Sequence, residues 1–521
     1  MSHSTNEILP ETISSYEEYS TRLLNVLSTH TECFVHYKYS NGVLIGTESP
    51  TRVLLNNIYQ SLPVEWRVNF FDKFREVSLL HPESSSLVWL NGLSLILPDI
   101  SIPKDISIPV PPSLRDLVAT CKQLYPKGTT LVAQKGRSVL MNEKKSYECK
   151  ALSQKITEIW TKTVIDIGSG KGYLLHELEN LGLEAVGVEG EQDFLDKMEQ
   201  REEKVLQKSP QKFSKSTQKP FDNHIGHPKT ISAYLTTDIT PQEFMTKIST
   251  VTASKELLMT CLHACGNLTS TLLRLSVKIP EVKVVAAVGC CYHKLTERND
   301  FWKSTTQRAK YVEGENLNVL RSVKHPHFDE ELNGFPMSKF VSEIIEKEGK
   351  EFKLAHNEFS TFADPLTVTQ RQYLDMMKQQ SFKAFFEFVM EKFNGAKEDH
   401  PTGKTVNTTF KTYFESALVN IKKRKTFKWN AENYAKQFEA FCDHFVSAEE
   451  FNALYNESAV GDILIESGAI LLLGALFAPL LEGLIVSDRV LYMKEHCKVA
   501  YAERVFDSRV SPRCFLIVAK K

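Results

Sequence analysis

Two short elements rich in cysteine and histidine each follow an apolar run of residues. His263, Cys265 and Asn267 lie at or just after the end of the run ELLMTCL, and the sequence CCYH at residues 290–293 follows VKVVAAVG. Such runs, bounded by helical stretches, are typical of buried strands. Because ligands of parallel α/β sheets bind at the carboxyl ends of the strands, we expect both elements to open on one crevice.

A glycine-rich turn supplies a second candidate site. In the run VIDIGSGKGYLL, Asp166 precedes Gly168, Gly170 and Gly172, and Glu189 ends the next apolar run about 20 residues later. Glycine permits positive φ and lets the backbone come close to a ligand. An acidic side chain at the end of the second strand can accept hydrogen bonds from both hydroxyls of a ribose. The pattern therefore predicts a nucleoside-containing cofactor.

The spacing of the turn distinguishes between two classes of cofactor. NAD and FAD require a third glycine where this chain has Tyr173, whereas an acid two residues before the glycines can orient the loop around an amino-acid moiety. The sequence therefore favours S-adenosylmethionine. Asp238, after the run ISAYLTT, is predicted to contact the adenine amino group, and a helix N-cap before Thr240 and Pro241 is the equal alternative. His263 is also assigned to the cofactor site, because its element opens on the same crevice.

For a methyltransferase, the two cysteine-containing elements have three interpretations. His263, Cys291 and Tyr292 could line the acceptor pocket, with His263 or Tyr292 orienting or deprotonating the acceptor, and we adopt them as the catalytic residues. They could instead be packing residues at strand ends. Zinc is the third interpretation, since the soft ligands available are Cys261, His263, Cys265, Cys290, Cys291 and His293. No metal is predicted, because alternate strand residues point to opposite faces and no C-x-x-C knuckle is present.

The elements around these residues read as an α/β domain. From Thr163 onward, short β-branched runs alternate with helical stretches, which predicts a Rossmann-like, S-adenosylmethionine-dependent methyltransferase sheet. We divide the chain into a mostly helical N-terminal region (1–130), the first part of the methyltransferase domain (131–300), a mainly helical insertion (301–464) and a C-terminal part of the domain with a helix and edge strands (465–521).

Composition limits the classes of partner and compartment. The 521 residues carry a net charge of −1, so there is no global basic footprint, and any surface that binds nucleic acid must be local. Ten cysteines without a charged-then-apolar leader favour a reducing compartment, and we expect a soluble protein of the cytoplasm or nucleus. Residues 469–486 are almost wholly apolar, but Pro479 and Glu482 favour a buried helix over a membrane span.

Several motifs together resemble the methyltransferase-like protein 25 family, which includes a protein named for a ribosomal RNA adenine dimethylase-like domain. The resemblance covers about residues 130–345 and 465–521, and its motifs are MNEKKSYE, VIDIGSGKGYL, CLHACGNLT, GCCYHKLTE, GFPMS, LLEGLIVSDRVLYMKE and DSRVSPRCFLIVA. It implies a Rossmann-like methyltransferase fold and does not imply a substrate.

The acceptor is expected to be RNA rather than protein, with neither DNA nor a membrane as partner. The basis is a more distant resemblance to transfer RNA ribose methyltransferases, which also pair an H-x-C-G element with a Cys-Cys element. Asn267 stands where relatives often have Asp, which puts a general base there in doubt, and no Asn/Asp-Pro-Pro-Tyr/Phe motif for adenine N6 chemistry follows the fourth strand. A catalytically silent protein that binds the cofactor is the alternative from another class.

Overall fold

A computed structural model describes most of the N-terminal region, the sheet domain and the C-terminal segment. The described residues are 7–30, 38–40, 43–45, 58–80, 89–97, 100–127, 141–201, 229–236, 239–292, 295, 334–347, 379, 382–386, 410–423, 457–508 and 510–521. The proposed insertion, residues 301–464, lies largely outside them, and no described fact decides the proposed division of the chain.

A seven-stranded sheet forms the centre of the fold. Its strands are β3 (Thr163–Ile167), β4 (Ala185–Glu189), β5 (Lys229–Ser232), β6 (Leu257–Cys265), β7 (Val282–Cys290), β8 (Val499–Arg504) and β9 (Phe515–Lys520). Their order is β5-β4-β3-β6-β7-β9-β8; β3 to β7 are parallel, and β9 runs antiparallel to both β7 and β8. The predicted Rossmann-like α/β fold is confirmed. A separate two-stranded hairpin pairs β1 (Lys38–Ser40) with β2 (Val43–Ile45).

Helix α6 (Glu143–Ile159) precedes β3, and the next helices of the sheet domain each follow a strand, as βαβ units require. These are α7 (Tyr173–Asn180) after β3, α8 (Pro241–Ile248) after β5 and α9 (Asn267–Lys278) after β6. Helix α8 begins with a capping box between Thr240 and Glu243 and has Pro241 in its first turn. The N-cap of α8 is thus Thr240, and Asp238, for which a cap was the alternative role, lies outside the described residues.

The N-terminal region contains short helices that pack beside the sheet. These are α1 (Tyr16–Thr29), α2 (Val64–Trp66), α3 (Lys73–Leu80), α4 (Trp89–Leu93) and α5 (Pro112–Gln123). Tyr16 anchors α1 to strand β8, because its hydroxyl accepts a hydrogen bond from the backbone N–H of Ala502 at 2.9 Å. The hydroxyl of Tyr19 donates to the carbonyl of Leu124 at 2.7 Å. Both phenol rings are buried, so these bonds satisfy polar atoms that water does not reach.

Helices α10 (Lys339–Lys347) and α11 (Phe410–Lys423) come next in the chain. They are followed by α12 (Glu457–Lys494), which passes through the core. The stretch Ile465–Lys494 is long and apolar enough to cross a membrane, yet its most apolar window is completely buried inside the protein. Glu482, in the same stretch, forms an ion pair with Arg513 at 2.9 Å between Oε2 and Nη1. Packing within the fold therefore accounts for both the apolar composition and the acidic residue.

Two of the sequence motifs contact each other through Asp488 on α12. Its carboxylate accepts hydrogen bonds from the backbone N–H of Met337 at 2.8 Å and of Ser338 at 2.9 Å, and from the Ser338 hydroxyl at 2.7 Å. The carboxyl is fully buried, and burial raises its pKa to about 6. Asp488 thus joins the GFPMS segment to the core helix.

Candidate functional site

The turn after β3 has the backbone that its glycines predict. Gly168, Gly170 and Gly172 adopt φ values of 72°, 56° and 68°, a region that residues with a side chain rarely occupy. A Cβ at position 172 would clash with the Sδ atom of Met198, whereas a Cβ at position 170 would meet nothing within 4 Å. The turn is therefore packed at the start of α7 and open at Gly170, where a ligand can approach the backbone.

Glu189, the last residue of β4, reaches back over this turn. Its Oε2 accepts a hydrogen bond from the N–H of Gly170 at 2.8 Å, and its Oε1 accepts one from the N–H of Glu191 at 3.0 Å. A carboxylate has about four lone-pair positions, so both oxygens can accept further hydrogen bonds. The side chain is thus oriented at the mouth of the turn with capacity to bind hydroxyl groups.

Asp166 lies under the turn and is almost completely buried. Its Oδ1 atom makes no hydrogen bond with any described residue. Burial raises the pKa of Asp166 to about 7, although the positive charge of Lys145 acts in the opposite direction. A buried acceptor without a partner is costly, and a cationic or hydrogen-donating ligand group would satisfy it. The residue therefore fits a cofactor that carries an ammonium group.

His263 lies at an irregular position near the end of β6. Its φ is 64°, and the pairing of β6 with β7 shifts register between Leu262 and Ala264. The ring Nε2 is 2.8 Å from Oε1 of Glu148, which is buried on α6. Burial alone lowers the pKa of His263, but contacts with Cys290 and Glu148 outweigh it, and the net shift is upward.

The predicted roles of His263 require an accessible ring nitrogen. Nε2 is paired with Glu148, and Nδ1 is buried without a hydrogen bond of normal geometry to a described residue. The Phe506 ring, from the connection between β8 and β9, lies 6.5 Å from the imidazole. Glu148 therefore fixes the orientation of the imidazole, whose side chain is 21% exposed, and the predicted roles of His263 stay predictions.

Three cysteine thiols meet at the adjacent ends of β6 and β7. Cys265 and Cys290 are register partners and the last residues of their strands, and Cys291 follows directly. The Sγ atoms of Cys291 and Cys265 are 3.1 Å apart, and those of Cys290 and Cys291 are 3.6 Å apart. Hydrogen bonding with Cys265 and the nearby His263 lowers the pKa of Cys290 despite partial burial. The three side chains form a thiol cluster that reaches solvent at Cys265.

Tyr292 lies on the other side of the strand end from the thiol cluster. Its ring is buried beside the guanidinium groups of Arg489 and Arg513, whose centres are 5.0 and 5.1 Å from the ring centroid. Burial raises the pKa of its hydroxyl. Cys291, at a φ of 50°, turns the chain just before Tyr292, and Arg489 belongs to α12. The ring of Tyr292 thus packs against α12, and its predicted contact with an acceptor stays a prediction.

The predicted site residues form two sets. The structure brings together the glycine turn, Asp166 and Glu189 at β3 and β4, and the thiols with His263 at β6 and β7. The start of α9, directly after β6, connects the two sets, since Leu268 lies 3.6 Å from the Cβ position of Gly168. His293, one of the possible zinc ligands, lies outside the described residues.

Sequence reasoning assigned no role to Glu148, Phe506 or Arg489, which contact the predicted site residues. Glu148 belongs to the motif MNEKKSYE that carries the resemblance, so its position was a usable signal. Arg489 and Phe506 are about 200 residues away along the chain, and their contacts follow from the packing of α12 and the last two strands.

Comparisons with known proteins identify a methyltransferase domain in this part of the chain. Residues 144–298 match the family model described as a methyltransferase domain. A mouse protein named "Probable methyltransferase-like protein 25" is 26% identical over 272 residues, which are 51% of this chain and 38% of that protein. The human protein of the same name is 25% identical over 314 residues, which are 59% of this chain and 42% of that protein. The aligned region thus spans less than half the length of each relative.

A solved structure is also similar in part. It is a S-adenosylmethionine-dependent methyltransferase from Clostridium acetobutylicum, with 14% sequence identity and a TM-score of 0.19, and the match covers 28% of this chain and 50% of that one.

Proposed function

The chain contains a methyltransferase domain and is related to methyltransferase-like protein 25, and on that premise we propose that it transfers a methyl group from S-adenosylmethionine to RNA. The observation that carries the cofactor assignment is the joint position of Glu189 and Asp166 at the glycine turn. One carboxylate lies at the mouth of the turn and the other lies buried beneath it with an unsatisfied oxygen. The turn is next to the point where the strand order reverses, which is where such sheets bind ligands.

We expect the residues at the turn to contact different parts of the cofactor. Glu189 would accept the ribose hydroxyls, Asp166 would compensate the positive charge of the amino-acid part, and Gly170 would allow close approach of the ligand to the backbone. S-adenosylmethionine supplies an activated methyl group on a sulfonium, so the protein mainly has to orient the acceptor and exclude water. A general base is needed only if the acceptor atom must lose a proton.

Basic side chains beside the site support RNA as the acceptor. Lys144 is exposed on the first turn of α6, four residues before Glu148, and Lys145 is close enough to lower the pKa of Asp166. Lys171 lies within the glycine turn. A local basic rim can contact phosphates in a protein whose net charge is only −1. The resemblance to transfer RNA ribose methyltransferases points in the same direction.

Cofactor binding is tested with Glu189→Ala in titration calorimetry. Loss of a charged acceptor of hydrogen bonds should weaken affinity for S-adenosylmethionine by about tenfold or more. Glu199→Ala, which removes an exposed acid ten residues further along the chain, is the matched control and should bind normally. Equal affinity in the two variants would remove Glu189 from the cofactor site.

The acceptor is tested separately with tritium-labelled S-adenosylmethionine and cell extracts that lack the protein. Label should enter the RNA fraction, and Lys144→Glu should reduce that transfer while leaving cofactor affinity unchanged. Lys247→Glu, on α8, is the control for a change of net charge. Label in protein alone would replace RNA by a protein acceptor, and label in neither fraction, with cofactor bound normally, would favour a silent binding protein.

A further inference from the structure

The thiol cluster of Cys265, Cys290 and Cys291 has the dimensions of a metal site. All three Sγ atoms lie within 4.8 Å of one another, and the two shortest separations are 3.1 and 3.6 Å. Tetrahedral zinc with Zn–S bonds of about 2.3 Å places its sulfur ligands about 3.8 Å apart. To hold a zinc ion, the two close pairs would therefore have to open by about 0.7 and about 0.2 Å.

The backbone explains how neighbouring cysteines can face one point. In an extended strand, residues 290 and 291 would point to opposite faces. Cys291 instead has a φ of 50°, which turns its thiol to the side of Cys290. This conformation is strained for a residue with a side chain. The sequence argument against a metal was that alternate strand residues point to opposite faces of the sheet. That alternation does not apply at this strand end.

Cysteine chemistry and exposure define the ion. Thiolate ligands favour zinc, and a site with three protein ligands leaves its fourth coordination position for water or another molecule. Cys265 is exposed and the other two thiols are half-buried, so the cluster is reachable from solvent. We propose that Cys265, Cys290 and Cys291 bind one zinc ion whose fourth coordination position is open at the carboxyl edge of the sheet.

His263 and Glu148 lie next to the thiol cluster, where they can orient the cysteine ligands. The ring of His263 lies beside Cys290 and is held from its other edge by Glu148 at 2.8 Å. Partners of this kind fix the orientation of metal ligands in other proteins. If the proposed function is correct, the open position lies on the same edge of the sheet as the cofactor site and could hold an atom of the acceptor. The zinc ion itself does not depend on that function.

Elemental analysis of the full-length protein tests the proposal. Protein purified under reducing conditions from zinc-supplemented medium should contain one zinc ion per chain for this cluster, and Cys265→Ser, Cys290→Ser and Cys291→Ser should each lose it. Cys497→Ser is the matched control, because Cys497 is also half-buried but lies outside the cluster, and it should keep the zinc. Zinc retained by all three cluster variants would overturn the proposal.

A spectroscopic measurement covers variants that fail to fold. Wild-type protein depleted of metal and loaded with cobalt(II) should show the intense thiolate-to-metal and d–d bands of a tetrahedral site. Absence of these bands, or of zinc in the wild type, would overturn the proposal. So would a disulfide between Cys265 and Cys291, detected by peptide mass spectrometry of protein prepared without reductant. Calorimetry with S-adenosylmethionine on the same samples keeps this result distinct from the cofactor assignment.

Discussion

The two sides of the end of β7 differ in solvent exposure and in charge. On one side, Cys290 and Cys291 are half-buried thiols next to the exposed Cys265. On the other side, the ring of Tyr292 is enclosed by Arg489 and Arg513, and Glu482 compensates one of these charges. Adjacent residues of one motif thus serve different purposes: the thiols are available to ligands, and the tyrosine holds the last helix and strands against the sheet.

The largest expected effect is on the buried side. Glu482→Gln leaves Arg513 without a compensating charge in the core, and removal of one partner of a buried ion pair typically costs about 3–5 kcal/mol. Urea denaturation should show a loss of this size. Glu76→Gln breaks the exposed pair with Lys73 and should cost well under about 1 kcal/mol. Similar losses in both variants would contradict the contrast between a buried and an exposed pair.

Tyr292→Ala should come next in magnitude. It removes a buried aromatic ring that packs against two guanidinium groups, and the loss of packing should cost about 3 kcal/mol of unfolding free energy. Affinity for S-adenosylmethionine, measured at a temperature where the variant is folded, should not change. Unchanged stability together with lost methyl transfer would return Tyr292 to the acceptor side.

The pH dependence of stability tests a third buried group, Asp166, below the glycine turn. Its pKa is raised from 3.8 to about 7 in the folded protein, so the folded state holds more protons than the unfolded chain between these values. Stability without cofactor should therefore fall as pH rises through that window, by up to about 1.4 kcal/mol per pH unit from this group.

Asp166→Asn is the corresponding control, because it removes the titrating carboxyl and keeps its size. The difference between wild type and this variant isolates Asp166 from Asp488, whose raised pKa gives the same sign. Unfolding curves at pH 5, 6 and 7 suffice. A difference that does not change with pH would show that Asp166 is not protonated by its burial.

The smallest expected effect is on the thiol side. With chelator present, Cys291→Gly should be more stable than Cys291→Ala by about 1 kcal/mol, because glycine adopts positive φ without strain. At Cys497, which does not have positive φ, the order should reverse. Denaturation of the four variants measures both differences, and an equal order at the two positions would contradict the strain at Cys291.

Local pattern was enough to predict the sheet and the glycine turn. The apolar runs around Asp166 and Glu189 are continuous because parallel strands are buried on both faces. Such runs can be recognised in a single sequence. Positive φ at Gly168, Gly170 and Gly172 follows from the residue type. The surroundings of His263 could not be predicted from local sequence. Its ring contacts Glu148 and Phe506, which come from other parts of the chain.

The sequence by itself determined the strand pattern, the turn and the presence of thiols and an imidazole at two strand ends. Only the tertiary structure decided which way those side chains face. A positive φ at His263 and at Cys291 reverses the alternation expected of a strand, and nothing in the local sequence demands it, because neither residue is glycine. Packing of α12, β8 and β9 against the end of β7 encloses Tyr292 and leaves the thiols in contact with solvent, and such contacts between distant segments have no local signature.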